Sequence, residues 1–152
     1  MKLHYQSGAC PMASHIALHE TSHRFEIEAI DTVAVRTESG ADYRAIYPKG
    51  YVPARDDGTV LTEGSAILQY IVDSNPEAGL APTADTLARA RMREPQNCIG
   101  TELHRTFDPQ FREDRPEAGK DEARKAVAGK AVAGKFNLIE AQLADGHEWQ
   151  IQ

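Results

Sequence analysis

The sequence contains few of the features that mark several large classes of protein. Only two cysteines, Cys10 and Cys98, occur among 152 residues, so a disulfide framework is not expected. Basic residues are outnumbered, with 17 Lys plus Arg against 23 Asp plus Glu, and the formal net charge is -6. A chain of this charge lacks the positive field that holds a phosphate backbone or an anionic membrane surface. We therefore expect no nucleic acid and no membrane among its partners.

Long hydrophobic runs are also missing. The longest, Ala66–Val72, is interrupted by Gln69 and is far shorter than the roughly 20 residues of a membrane-spanning helix. The first residues, from Met1 to His4, lack the apolar core of a signal peptide, which predicts a cytoplasmic protein. The residues that are present, 41% hydrophobic and 26% charged, are typical of a globular domain.

Strand-like and helix-like stretches alternate along the first half of the chain. Alternating apolar and polar residues predict strands at Lys2–Tyr5 and Phe25–Ile30, and Pro11–Glu20 between them predicts a helix. After a polar loop at Thr32–Ser39, the remaining predicted elements are a short helix at Ala41–Ile46, extended segments at Tyr51–Ala54 and Thr59–Leu61, and a helix at Gly64–Asp73. The predicted order is β-α-β-α-β-β-α, which indicates an α/β domain.

The composition changes after Asn75, where two prolines and a glycine mark a linker into a region without strand signals. We therefore predict an α/β domain over residues 1–76, a linker at 77–83 and an all-α domain over 84–152.

Two helices are predicted in this all-α domain. The first runs from Ala84 to about Phe107, and Pro95 in its interior is expected to kink or split it. The second, from about Pro116 to Leu143, contains the segment AVAGK twice in succession, which we interpret as a local duplication.

Cys10 is the first residue whose side chain could take part in a reaction. It precedes Pro11, whose fixed φ suits the first position of a helix, so the helix N-terminus would face the sulfur. The partial positive charge and free amides there favour the thiolate of a nucleophilic cysteine. A buried structural cysteine is the alternative. Because position 13 is Ala13, Cys10 cannot close a C-x-x-C disulfide, and any redox chemistry needs an external thiol.

Two further segments offer groups to an extended ligand. A cis peptide bond at Val52-Pro53 would leave the Val52 backbone exposed to pair with a peptide, although trans is the commoner isomer. Glu63-Gly64-Ser65 opens a helix, where the amides and the Ser65 hydroxyl suit a carboxylate and Glu63 suits an ammonium group. With Cys10, these segments predict a cleft for a short thiol peptide that has an amino-acid end.

A histidine pattern suggests a metal site and has a simpler interpretation. The stretch from His19 to His23 matches the H-E-x-x-H pattern of zinc proteases, and His15 extends the spacing backward. That pattern needs both histidines on one intact helix and a third ligand. The helix is predicted to end near Thr21, because a strand follows almost at once. We therefore interpret these histidines as solvent-facing residues at a helix end and assign no metal ligand.

Several motifs follow one another in a specific order. In the first half they are Met1 to Tyr5, Ser7 to Cys10, Ala13 to Glu20, Arg36 to Asp42, Pro48 to Ala54 and Asp57 to Gly64. Thinner matches follow at Ile99–Arg105 and Ile139–Leu143. With these motifs the chain resembles bacterial beta-class glutathione transferases, most densely up to about Pro82.

The resemblance implies a fold, an assembly and a substrate. The fold is a thioredoxin-like N-terminal domain followed by an all-helical domain, and the assembly is a homodimer. Glutathione is implied as co-substrate, without a further cofactor. Cys10 would face the glutathione sulfur and act as a catalytic residue, with Tyr5 close to the thiol and His104 reaching toward it.

The resemblance also implies a set of glutathione-binding residues. Val52, before a cis Pro53, would pair with the tripeptide backbone, and Glu63 and Gly64 would receive its γ-glutamyl end. The helical domain would contribute Asn97, Thr101, Glu102, Leu103, His104 and Arg105.

The chain departs from this family in its site and its length. Pro11 replaces a common serine, and Val35 stands where a lysine often contacts glutathione. The family continues for roughly 50 residues beyond Gln152, so an incomplete helical domain is expected. Our leading interpretation is a glutathione transferase that conjugates glutathione to small electrophiles or exchanges thiols with a disulfide substrate through Cys10. The alternative is a catalytically weak or inactive glutathione-binding or structural remnant.

Overall fold

The structure, a computed structural model, describes residues 1–111, 119–122, 125 and 130–144. The chain divides into two compact units, the first formed by Met1–Ala84 and the second by the described residues from Asp85 onward. The finer boundaries from the sequence, with a linker at 77–83, stay a prediction.

A five-stranded mixed sheet organises the first unit. Its strands are β1 (Lys2–Tyr5), β2 (Glu26–Asp31), β3 (Arg36–Thr37), β4 (Ala54–Asp56) and β5 (Leu61–Thr62). Their order is β3-β2-β1-β4-β5, with β1 parallel to β2 and the other neighbours antiparallel. A parallel pair needs a crossover connection, and helix α1 (Pro11–Glu20) supplies it. The β-α-β opening expected from the sequence is therefore present.

Two apolar clusters form the core of this unit. The first joins β1 to α1 and to α3 (Gly64–Asp73), and its buried members are Leu3, Leu18, Ile67 and Ile71. The second lies around α2 (Tyr43–Ile46), and its buried members are Ile30, Tyr43, Tyr47 and Ala54. Successive side chains of a strand point to opposite faces, so Leu3 enters the first cluster while His4 contacts the Tyr43 ring of the second, with ring centroids 5.4 Å apart.

β4 carries a buried cation. The Arg55 guanidinium stacks on the ring of Tyr70 from α3 at 3.9 Å and pairs with the Asp57 carboxylate just beyond the strand. Its Nε atom donates to the Met1 sulfur at 3.2 Å. Arg55 therefore links β4 to α3 and to the start of β1.

The structure adds one strand to the order expected from the sequence. The segment Thr32–Ser39, predicted as a polar loop, contains β3, in which Arg36 and Thr37 pair with Asp31 and Ile30 of β2. Two polar residues are too few to show the alternating pattern that predicts a strand. Only their backbone pairing with β2 defines β3. The observed order is β-α-β-β-α-β-β-α.

Helices form the described part of the second unit. They are α4 (Leu87–Cys98), a π-helix (Ile99–Leu103), α5 (His104–Phe111) and α6 (Lys130–Leu143). The Thr86 hydroxyl accepts a hydrogen bond from the Arg89 amide at 3.2 Å. This cap explains why the helix begins at Leu87 and not at the predicted Ala84. Within the described residues, no helix combines the length and hydrophobicity that crossing a membrane requires.

Pro95 does not end the first of these helices. The chain stays helical past it and widens into the π-helix at Ile99, so the helix is not split at Pro95, and the predicted kink stays a prediction. A π-helical turn is one way to absorb a lost backbone hydrogen bond without breaking the helix. Within the predicted second helix, residues 116–118, 123–124 and 126–129 lie outside the described residues, and they include most of the first AVAGK copy.

Candidate functional site

The start of α1, the loop before β4 and the start of α3 are connected by direct contacts. The Cys10 thiol donates to the Val52 carbonyl oxygen at 3.3 Å. Pro53 packs beneath the start of α3, where a Cβ atom on Gly64 would lie 3.8 Å from the proline ring. The structure therefore brings together Cys10, Val52, Pro53 and Gly64, four of the residues singled out in the sequence.

Cys10 lies directly before α1, at the N-cap position. Desolvation by the surrounding protein raises the pKa of its thiol, and a backbone hydrogen bond at Cys10 opposes this shift only in part. The carbonyl of Val52 is an acceptor, which stabilises the thiol relative to the thiolate. The expectation that the helix N-terminus favours a thiolate is wrong here, because desolvation outweighs the attraction of the α1 amides.

The peptide bond between Val52 and Pro53 is cis. Val52 is half-buried and Pro53 is buried, so the proline is fixed while the preceding backbone stays near the surface. The Tyr43 hydroxyl donates to the carbonyl of Tyr51 at 2.8 Å and holds the loop on α2. The cis isomer that the family resemblance implied is therefore present.

Glu63 precedes α3 with an unusual backbone conformation. Its φ of 71° is uncommon for a residue other than glycine and is a form of strain that clusters at ligand sites. Its Oε1 atom accepts from the Tyr47 hydroxyl at 3.0 Å and from the Lys49 ammonium at 2.8 Å. These two hydrogen bonds, that of Lys49 first, lower the pKa of Glu63. An ionised carboxylate is thereby held at the start of the helix, with a side chain that is 61% exposed.

Sequence reasoning missed Tyr47 and Lys49 as parts of this site. The predicted short helix at Ala41–Ile46 ends before both residues, and Lys49 enters the sequence analysis only within the motif Pro48 to Ala54. A lysine two residues after a buried tyrosine carries no motif of its own. Their role becomes visible only when α2 and α3 are placed side by side.

Tyr5 ends β1 and is half-buried. Its ring lies 6.4 Å from the ring of His15 on α1, measured between centroids. This contact places Tyr5 beside α1, and its role at the thiol stays a prediction.

The second unit holds the remaining predicted site residues on adjoining helices. Asn97 is on α4, Thr101 to Leu103 form the end of the π-helix, and His104 and Arg105 begin α5. The Thr101 hydroxyl donates to the Asn97 carbonyl at 2.8 Å. The Glu102 carboxylate pairs with Lys135 of α6 at 3.3 Å, so it is already engaged within this unit.

The H-E-x-x-H pattern is divided by the end of a helix. α1 ends at Glu20, with Thr21 as its C-cap, so His19 lies on the helix and His23 lies in the following loop. Within the part of the chain that the structure describes, no three His, Cys, Asp or Glu side chains converge as a metal site would require.

Comparisons with known proteins agree with this geometry. The family described as Glutathione S-transferase, N-terminal domain, matches residues 1–73. Glutathione S-transferase GstA of Escherichia coli O157:H7 is 48% identical over 122 residues, which are 79% of this chain. The chain spans 61% of the length of that relative.

Two solved structures extend the likeness through the second unit. A bacterial beta-class glutathione S-transferase of Sphingomonas chungbukensis is 36% identical with a TM-score of 0.85, covering 99% of this chain and 76% of its own. A sphingomonad glutathione S-transferase, solved with glutathione, is 38% identical with a TM-score of 0.83, covering 95% of this chain and 71% of its own.

These matches confirm the thioredoxin-like domain followed by a helical region and the resemblance to bacterial beta-class enzymes. On the combined sequence identity, fold and coverage, this chain belongs to the glutathione S-transferase family.

Proposed function

We propose that the chain binds glutathione in its first unit and joins it through its sulfur to small electrophiles, or carries out thiol exchange between glutathione and a disulfide substrate. The observation that carries this proposal is the contact between the Cys10 thiol and the Val52 carbonyl, next to the cis bond at Pro53. It sets a thiol against a backbone segment that is able to pair with a peptide. A sphingomonad relative of known structure holds glutathione, which supports the same ligand here.

Two regions of the first unit are proposed to hold the tripeptide. The backbone of Val52 pairs with the cysteinyl residue of glutathione. Glu63, fixed by Tyr47 and Lys49, accepts the ammonium of the γ-glutamyl end, while the backbone amides at Gly64 receive its carboxylate. The ammonium and the carboxylate of an amino-acid end lie a few ångströms apart. The Glu63 carboxylate and the neighbouring Gly64 amides offer one partner to each of them.

Cys10 is proposed to act as a hydrogen-bond donor and not as the nucleophile. When the glutathione amide donates a hydrogen bond to the Val52 carbonyl oxygen, the Cys10 thiol loses that acceptor. The thiol then donates a hydrogen bond to the glutathione sulfur instead. A donor at that sulfur stabilises the glutathione thiolate over its thiol. The S–H bond of glutathione breaks and its proton passes to solvent water. The resulting thiolate attacks the electrophile, the new carbon–sulfur bond forms, and the leaving group departs with its electron pair.

Residues of the second unit are also proposed to contact glutathione, as the family resemblance implies. His104 would assist proton movement at the sulfur, with Tyr5 as a further donor from the first unit. Asn97, Thr101, Glu102, Leu103 and Arg105 are proposed as contacts of the bound tripeptide. In this proposal glutathione is the co-substrate of the electrophile or disulfide, no cofactor takes part, and the protein acts in the cytoplasm as a homodimer.

Binding without efficient turnover is a second candidate function. This alternative follows if turnover requires Cys10 as the nucleophile, because a cysteine whose raised pKa keeps its proton reacts poorly in thiol exchange. In this alternative the chain holds glutathione and releases it unchanged.

Calorimetry and turnover assays on the same preparations separate these functions. We expect the wild-type chain and Cys10→Ala to bind glutathione with similar heat, since the main contacts are to Val52 and Glu63. Conjugation of a small aromatic electrophile is expected to fall by at least about tenfold in Cys10→Ala, and Cys98→Ala serves as the matched control.

Each outcome of these assays is informative. No heat and no thermal shift at millimolar glutathione would contradict glutathione recognition altogether. Binding without turnover in the wild type would establish the second candidate function. Full turnover by Cys10→Ala would remove Cys10 from the mechanism.

A further inference from the structure

Two histidines on α1 lie side by side outside the proposed glutathione site. His15 and His19 are four residues apart, so they project from the same face of the helix. Their Nε2 atoms are 3.2 Å apart, and their ring centroids are 4.8 Å apart with an interplanar angle of 42°. The two Nε2 atoms are within hydrogen-bond distance of each other, so both lone pairs reach one place on the surface once both rings carry their proton on Nδ1.

Neighbouring aromatic rings hold this pair in position. Phe25, which packs against the first apolar cluster, presents its ring at 84° to His15 and at 82° to His19. The centroid distances are 5.4 Å and 4.9 Å, within the range of favourable edge-to-face contacts. Because the half-buried Phe25 ring contacts both imidazoles, the two Nε2 atoms are held close together before a ligand binds.

The spacing of the two nitrogens is that of a chelate. A metal–imidazole bond is about 2.0–2.1 Å long, and ligand angles between about 90° and 110° then require the nitrogens to be about 2.9–3.4 Å apart. The observed 3.2 Å lies inside this range. We propose that His15 and His19 chelate a divalent transition-metal ion through their Nε2 atoms.

The donor set defines the class of ion. Imidazole nitrogens suit Cu²⁺, Ni²⁺ and Zn²⁺, whereas Mg²⁺ and Ca²⁺ take oxygen ligands. No third His, Cys, Asp or Glu side chain converges on the pair within the described residues, so water completes the coordination. The pair lines an open surface hollow together with His23, Arg24 and Glu26, which leaves the ion accessible from solvent.

This site differs from the one that the H-E-x-x-H pattern suggests. That pattern pairs His19 with His23, but His23 lies beyond the end of α1. The preceding four-residue interval, from His15 to His19, stays inside the helix. The chelate therefore uses one histidine of the pattern and one residue outside it.

Calorimetry with Ni²⁺ tests the site directly. The protein is prepared without a histidine tag and as Cys10→Ser, so that this thiol does not compete for the ion. We expect one equivalent of Ni²⁺ to bind, and His15→Gln and His19→Gln each to weaken binding by about 100-fold, because losing either donor removes the chelate effect. His23→Gln is the matched control and is expected to bind within twofold of its parent, and Mg²⁺ is expected to give no heat.

A second measurement avoids any dependence on how the variants fold. The electron paramagnetic resonance spectrum of Cu²⁺ bound to Cys10→Ser, with both histidines intact, should show coupling to two imidazole nitrogens. Coupling to one nitrogen or none would overturn the proposal. So would an equal loss of Ni²⁺ affinity in His23→Gln, or undiminished affinity in a folded His19→Gln variant.

Discussion

At the residue scale, opposing effects act on the Cys10 thiol. The N-terminus of α1 attracts a negative charge, whereas desolvation and the Val52 carbonyl favour the proton. The balance raises the pKa of the thiol, so the protonated form of Cys10 is favoured although the residue is exposed and precedes a helix.

The pH dependence of alkylation checks this balance. In Cys98→Ala, the rate of Cys10 alkylation by iodoacetamide should keep rising through pH 8.5, where an ordinary cysteine is half ionised. In Cys10→Ala, the half-buried Cys98 should react more slowly at every pH. Peptide mass spectrometry measures both rates. A Cys10 rate that levels off below pH 8, or faster labelling of Cys98, would contradict this prediction.

Glu63 is expected to set the affinity for the γ-glutamyl end of glutathione. Glu63→Gln keeps the shape of the side chain but removes the charge that faces the ammonium, so the Kd for glutathione should rise about tenfold. Calorimetry measures the change. Glu77→Gln, an exposed glutamate in the same unit, is the control and should bind as the wild type does. Equal affinity of Glu63→Gln and wild type would exclude an ion pair at this position.

At the element scale, Glu28 connects three neighbouring segments of the sheet. Its carboxylate in β2 accepts from Lys2 of β1 at 3.1 Å and from Ser39, which follows β3. The hydrogen bond from Ser39 makes the largest contribution, and with that from Lys2 it lowers the pKa of Glu28 to about 2 despite desolvation. The ionised form is therefore favoured in the folded protein.

Acid should weaken the fold through this residue. An unfolded glutamate titrates near pH 4.3, so stability from Glu28 is fully present above about pH 5 and is lost as the pH falls toward 2. Glu28→Gln should lower the free energy of unfolding by about 1–3 kcal/mol at pH 6 and by less at pH 3. Denaturant titrations at both pH values measure this, with the exposed Glu38→Gln as control. A loss that is the same at both pH values would contradict the pKa assignment.

Elements with strong local signals could be predicted from the sequence. α1 and α3 have the bounds expected for them, because Pro11 marks one start and Gly64 follows the turn that begins the other. β3 could not be predicted, since two polar residues acquire strand geometry only by pairing with β2. The π-helix after Pro95 was equally hidden, because the sequence shows where a hydrogen bond is lost but not how the chain adjusts.

The same distinction holds for the candidate site. Cys10 and Glu63 could be selected because each precedes a predicted helix, and Val52 because it precedes a proline. Tyr47 and Lys49 contact Glu63 across 16 and 14 residues of sequence, and no periodicity connects residues at such distances. The pKa of the Cys10 thiol could not be predicted either, because it depends on partial desolvation and on the Val52 carbonyl, which lies 42 residues away in the sequence.

At the scale of the whole molecule, apolar side chains stay exposed in the second unit. Leu87 at the start of α4 is 69% exposed and Leu138 on α6 is 55% exposed. A buried leucine contributes about 1.5–3 kcal/mol to stability relative to an exposed one. We therefore expect a second copy of the chain to cover part of this surface, in line with the proposed homodimer.

The concentration dependence of thermal unfolding checks the homodimer. The Tm of the wild type should rise with protein concentration, because association stabilises the folded state by mass action. Leu87→Ser should reduce this dependence, whereas Val33→Ser, which changes an equally exposed residue of the first unit, should not. Analytical ultracentrifugation measures the assembly directly. A monomer with a concentration-independent Tm would contradict the homodimer.

The contacts of Arg55 with Asp57 and Tyr70 limit which substitutions the sequence of this chain can accept. Arg55 is only 4% exposed and depends on the Asp57 carboxylate and the Tyr70 ring. Loss of Asp57 alone would leave a buried cation without a counter-charge, a change that destabilises proteins by about 3–5 kcal/mol. These three positions, in a strand, a turn and a helix, are therefore expected to covary among relatives, with an apolar residue replacing Arg55 wherever the acid is lost.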